Sequence, residues 1–164
     1  MNGIKLLLPL AALMIAACSG GERSPAAAWT MGPDGGTPAV TAATRVIDVY
    51  KSPTCDCCHE WEAYLRRHGY TVNSIPTDDL AMVKNDRRVP REAWSCHTAT
   101  IGAYVVEGHV PIEAIEDLLA RRPAIDGIAL PGMPPGSPGM PGTKEAPFEI
   151  LALHDGDAAT FGEY

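Results

Sequence analysis

The stretch SPTCDCCHEW, residues 52–61, sets Cys55, Cys57 and Cys58 within four positions and puts His59 directly after them. A second thiol–imidazole pair, Cys96 and His97, stands in WSCHTA, residues 94–99. Thiols spaced like this can form disulfides, exchange them, or hold a soft metal ion. The compartment comes first, because an oxidising one lets disulfides persist and a reducing one does not.

The N-terminus speaks to that question. Residues 1–17 carry one positive charge, Lys5, and an apolar run from Leu6 to Ala17 broken only by Pro9. This is the layout of a secretory signal peptide, too short to span a bilayer. IAAC, Ile15 to Cys18, resembles a bacterial lipobox, which implies cleavage before Cys18 and acylation of that cysteine; ordinary cleavage nearby or an uncleaved anchor are the alternatives. Several acyl chains hold a protein on a membrane where one would not. Because Ser19 rather than aspartate follows Cys18, a periplasm-facing lipoprotein of the outer membrane is expected rather than one of the inner membrane.

The chain has 164 residues, 13 basic against 20 acidic, and a formal charge of −7. Loss of the leader removes Lys5 and leaves the mature protein more acidic still. Nucleic acid is thereby excluded as a partner, since phosphate backbones are bound by clustered positive charge. Residues 19–44 are mostly Gly, Ala, Pro, Ser and Thr, with too little apolar surface to offset ordering; they read, with Cys18, as an acylated tether in which Trp29 and Met31 pack loosely. Residues 45–164 are the size of one domain with a real core.

Within that domain RVIDVY, Arg45 to Tyr50, predicts a buried strand, and a helix is expected from Cys55 to His68, stopped by Gly69. YTVNSIP predicts a second strand and DDLAMVKNDR a short helix ended before Pro90. TATIGAYVVEG reads as two strands around Gly102 and Ala103. Pro111 then opens a helix with Ile112, Ile115, Leu118 and Leu119 on one stripe, and FEILALHDGDAATFGEY closes the chain as a hairpin. With Cys55-x-x-Cys58 at the start of the first helix, the order β-α-β-α-β-β-α plus a C-terminal β-hairpin predicts an α/β, thioredoxin- or glutaredoxin-like fold. Free N–H groups and the helix dipole there favour thiolate, with Asp56 opposing a little.

Two features depart from a working thiol oxidoreductase. Thioredoxin-like enzymes place a cis-proline just before the third strand, and the matching residues 94–99 contain no proline. Cys96 and His97 stand there instead, where the fold would aim them at the cysteines of the helix. Four sulfurs and at least one imidazole are therefore expected to converge.

Three blocks, YKSPTCDCCHEWEAYLRRHGY, SCHTATIGAYVVEGHVP and ALPGMPPGSPGMPG, resemble the signature blocks of the CopG-like copper-resistance proteins, thioredoxin-like domains of the bacterial envelope. The resemblance spans residues 45–164 and implies a protein that handles copper in the periplasm. Cys55, Cys57, Cys58 and Cys96 match the family's cysteine pattern, whereas His59 stands where many relatives carry glycine, either as an added ligand or facing solvent. The expected partners are copper ions and another envelope copper-handling or redox protein, with membrane contact only through the lipid anchor expected at Cys18.

The residues argue for copper in their own right. Thiolate and thioether ligands select Cu(I), and zinc more usually takes evenly paired knuckles. Adjacent Cys57 and Cys58 suit bridging better than chelation, so more than one Cu(I) is expected. His97 joins them, and His109 in EGHVP is a ligand, a hydrogen-bond partner of the site, or a helix cap. The PGMPPGSPGMPG segment is expected to run as an extended loop. Its Met133 and Met140 are either soft ligands or surface packing, Met133 being the better placed. His68 reads as a partner of the helix dipole, His154 as a turn residue, and Trp61 and Leu65 as core. Two other readings stand beside this one: a thiol–disulfide oxidoreductase, and a domain stapled by two disulfides such as Cys55–Cys58 with Cys57–Cys96.

Overall fold

The computed structural model describes residues 45–164. The leader, Cys18, Trp29 and Met31 lie outside the described residues. The first strand, β1 (Val46–Lys51), is followed by α1 (Asp56–Arg67), β2 (Thr71–Pro76) and α2 (Leu80–Asp86). A 3-10 turn (Arg91–Ala93) leads into β3 (His97–Ile101) and β4 (Tyr104–Glu107), then α3 (Ile112–Arg121). The chain ends with β5 (Gly127–Ala129), β6 (Glu149–His154) and β7 (Asp157–Glu163).

These strands form one sheet in the order β2-β1-β3-β4-β5-β6-β7. β1 runs parallel to β2 and antiparallel to β3, which is antiparallel to β4. This is the expected thioredoxin-like α/β core. Beyond it, β5 adds parallel to β4 and carries the C-terminal hairpin into the same sheet. The hairpin was legible in the sequence; that a three-residue strand, Gly127–Ala129, would splice it onto the core was not. Gly127 makes the join possible, since a Cβ there would lie 2.1 Å from the Val105 carbonyl oxygen.

Side-chain alternation along strands sends neighbours to opposite faces. On one face Ile47, Val49, Ala99, Ile101, Val106, Ile128 and Ile150 pack with Trp61 and Leu65 of α1 and Ile115 and Leu118 of α3. The other face holds a smaller cluster, Val89, Ala93, Val105, Ala129 and Leu153, backed by Trp94. By the same parity His97 shares the α1 face with Ala99 and Ile101, while Thr98 and Glu107, which are register partners, turn to the other. Single-residue alternation therefore places the imidazole beside α1 and the carboxylate behind it.

Candidate metal centre

Cys55 is the N-cap of α1 and makes no side-chain cap bond, so its sulfur is left for other chemistry. It is joined to Cys58 in a disulfide, and Cys57 and Cys96 are free thiols. Successive helical residues point about 100° apart, yet Cys57 and Cys58 both reach one neighbour: Cys96 Sγ lies 3.9 Å from Cys57 Sγ and 3.7 Å from Cys58 Sγ. Cys57 Sγ is also 3.5 Å from Cys55 Sγ. The four sulfurs lie within 4.8 Å of one another, so the convergence expected from topology is realised.

A second group overlaps the first at Cys96. Its sulfur lies 3.3 Å from His97 Nδ1 and 2.9 Å from His109 Nε2. His109 Nδ1 is 2.7 Å from the Pro138 carbonyl oxygen, which can only accept, so Nδ1 carries the hydrogen and Nε2 of the neutral ring presents its lone pair to Cys96. His97 is fully buried, and its Nε2 has no hydrogen-bond partner. The ring packs 4.4 Å from that of Trp61 and 5.0 Å from that of His109. A buried ring nitrogen without a partner is costly in a folded protein and suits a site built for a metal or a water.

The electrostatics follow from burial. Desolvation, and then the neighbouring Cys57, push the Cys96 thiol up to about 12. Burial holds His97 well below the usual imidazole value, with His109 adding to the effect, and it also lowers His109 against the opposing Pro138 hydrogen bond. Two neutral imidazoles and a protonated thiol are what a cation would meet, and it would have to displace the thiol proton.

α1 holds the opposite wall. Trp61 Nε1 donates to the Val110 carbonyl at 3.0 Å, and Ile112 N donates to Tyr64 Oη at 2.9 Å, which fixes the segment carrying His109. Trp61 is core, as expected, and also a brace. The loop of residues 131–142 reaches the site at Pro138 and Gly139: a Cβ on Gly139, at φ +84°, would stand 2.7 Å from Trp61 N and 3.0 Å from the Cys57 carbonyl oxygen. The closest approach thus falls beside Met140, whereas Met133 is 50 % exposed next to Gly132, whose N–H donates to Trp94 O at 3.2 Å.

His59 faces solvent, its ring 3.0 Å from Lys51 Nζ, and belongs to neither ligand group. His68 caps the C-terminal end of α1 and His154 ends β6 before the turn, next to Asp155. The residues that sequence reasoning missed are buried charges: Lys51 with Glu62, 3.8 Å apart, and Lys84 with Glu107. The sequence signals Glu107 alone among them, as a charged residue inside the apolar strand YVVEG.

Residues 93–140 match the model of a protein family described as DUF411, a family of unknown function. Two solved structures, titled copper resistance protein copG Form 2 and Form 1, are 38 % identical to this chain, with TM-scores of 0.67 and 0.66. Each match covers 73 % of this chain, and 97 % and 96 % of the respective relative. The chain belongs to the CopG-like copper-resistance family. None of the curated proteins matches it. In this CopG-like chain the Cys57 and Cys58 helix end, the Cys96 turn and the Pro138 loop are the parts that meet at the site.

Proposed function

We propose that the protein is an envelope lipoprotein that binds, buffers or transfers Cu(I) through a cysteine-rich site holding more than one ion. One observation carries the reading: four sulfurs and two buried imidazoles share Cys96 as their common member. Sulfur donors suit Cu(I), and a thiolate flanked by other sulfurs on one side and ring nitrogens on the other suits bridging between ions. Cys55 and Cys58 can ligate only after their disulfide takes up two electrons and two protons, so copper binding and thiol redox state are linked. His97 and His109 supply nitrogen donors, and the loop that reaches the site at Gly139 brings Met140 nearer as a thioether donor than the exposed Met133. That the two relatives are copper resistance proteins supports copper as the cargo. Lipidation at Cys18, the outer-membrane location and a copper-handling or redox partner in the envelope belong to the same reading.

Anaerobic titration of the reduced protein against a Cu(I)-selective chelator tests the site, and metal analysis after growth in copper gives the stoichiometry. Two or more tightly held ions are expected; none after full reduction would defeat the proposal. Cys18→Ser tests the anchor, with loss from the membrane fraction expected. The second reading, a thiol–disulfide oxidoreductase, is favoured by the disulfide between Cys55 and Cys58 at the start of a helix. Reduction of a disulfide-bonded protein such as insulin at a rate set by Cys55 would support it.

A further inference from the structure

The turn that carries Cys96 has no proline to hold it, and no cis peptide bond occurs among the described residues. Two buried charges sit behind it instead. Glu107 is 0 % and Lys84 3 % exposed, the first delivered by β4 to the face opposite His97 and the second by α2. Lys84 Nζ donates to Glu107 Oε1 and, at 3.0 Å, to Thr98 Oγ1, which in turn donates to Glu107 Oε2 at 2.7 Å. The remaining donor to Glu107 is a backbone one: Ser95 N reaches Oε1 at 2.7 Å.

A buried ion pair is a poor device for stability, because its desolvation cost is often as large as the attraction, and an apolar pair of similar volume commonly does as well. A hydrogen bond from a backbone amide to a carboxylate, by contrast, is among the stronger and more directional ones. Ser95 is clamped further. Its Oγ donates to the Gly132 carbonyl, and Gly108, at φ +77°, approaches so closely that a Cβ there would stand 2.5 Å from that Oγ. The residue after Ser95 is Cys96, whose sulfur must lie between two helix-end sulfurs and His109.

We propose that Glu107, with Lys84 as its counter-charge, is a positioning residue for Cys96, doing through the Ser95 amide what proline does in other thioredoxin-like folds. The inference deepens the copper reading and rests on it for the functional consequence. Single removal of either charge leaves the other buried and alone, so the test uses paired changes. K84M/E107L removes both charges and the acceptor, and K84M/E107Q removes both charges but keeps an oxygen for Ser95 N.

Two readouts are taken on the reduced protein: Cys96 alkylation by iodoacetamide without metal, located by peptide mapping, and Cu(I) affinity by chelator competition. K84M/E107L is expected to alkylate at Cys96 about tenfold faster and to bind Cu(I) about tenfold more weakly, the worth of one hydrogen bond to a charged group. K84M/E107Q is expected to restore both, a rescue that a merely structural role would not produce. Parent-like values in a folded K84M/E107L overturn the proposal. Should K84M/E107L fail to fold, hydrogen exchange at the Ser95 amide decides: protection in the parent and in K84M/E107Q supports it, and fast exchange in the parent overturns it. A parent that binds no Cu(I) defeats the copper reading, while the alkylation contrast still judges the positioning role.

Discussion

Cys96 Sγ sits 2.9 Å from His109 Nε2, and these two residues come from opposite ends of the β3–β4 hairpin. The hairpin brings them together because Gly108 N donates back to the His97 carbonyl at 3.0 Å, which folds the segment after β4 over the start of β3. The shared sulfur links the thiol cluster to the imidazole pair.

Cys96→Ala is therefore expected to reduce Cu(I) stoichiometry and affinity more than any other single cysteine change, because it removes the one ligand common to both groups. His97→Ala should do less, imidazole being the harder donor. Competition titration of the reduced variants measures both, and a Cys96→Ala protein that binds like the parent would remove the central argument for the site.

Thiol reactivity should depend on redox state. In the disulfide form Cys57 and Cys96 are the free thiols among the described residues, and Cys96 should react slowly because burial holds its thiol up to about 12. After reduction Cys55, at the N-terminus of α1, should be alkylated first, since free N–H groups there favour thiolate. Timed alkylation with mass mapping checks the order; early labelling of Cys58 would contradict it. Copper uptake is expected to be slow or partial until the disulfide is reduced.

The metal-free protein should lose stability as pH falls from about 7 to 5.5. His97 and His109 are held below the ordinary imidazole value by burial. The unfolded chain then binds more protons than the native one below about 6.5, so their contribution is complete above that pH and is lost as pH falls toward the lowered native values. Thermal melts across this range should show it, and a His109→Gln variant should have the shallower slope. A flat parent profile would count against buried neutral rings.

Gly139→Ala is expected to destabilise the fold by about 1–3 kcal/mol and to loosen the loop over the site, since alanine at a left-handed φ is strained and its methyl would meet α1 at Trp61 N. Chemical denaturation gives the first effect. Faster alkylation of Cys57, whose carbonyl the loop touches, gives the second.

Much of this protein was legible in its sequence because the signals are local. The β-branched run in RVIDVY, the apolar stripe from Ile112 to Leu119 and the turn at Gly102 each depend on residues a few positions apart, and the structure has a strand, a helix and a hairpin turn at those places. The convergence of Cys96 on Cys57 and Cys58 was legible too, through topology, because the turn before the third strand of such a sheet runs beside the first helix. Local pattern could not say which ring nitrogen of His109 faces the sulfur, since that rests on the Pro138 carbonyl, 29 residues away. Nor could it show that the loop approaches at Gly139 beside Met140, a matter of backbone fitting against α1. The Lys84–Glu107 pair was hidden for the same reason: a charged residue in a sequence reads as solvent-facing, and only the two-sided packing of the completed sheet, with α2 laid against β1 and β3, shuts water away from it.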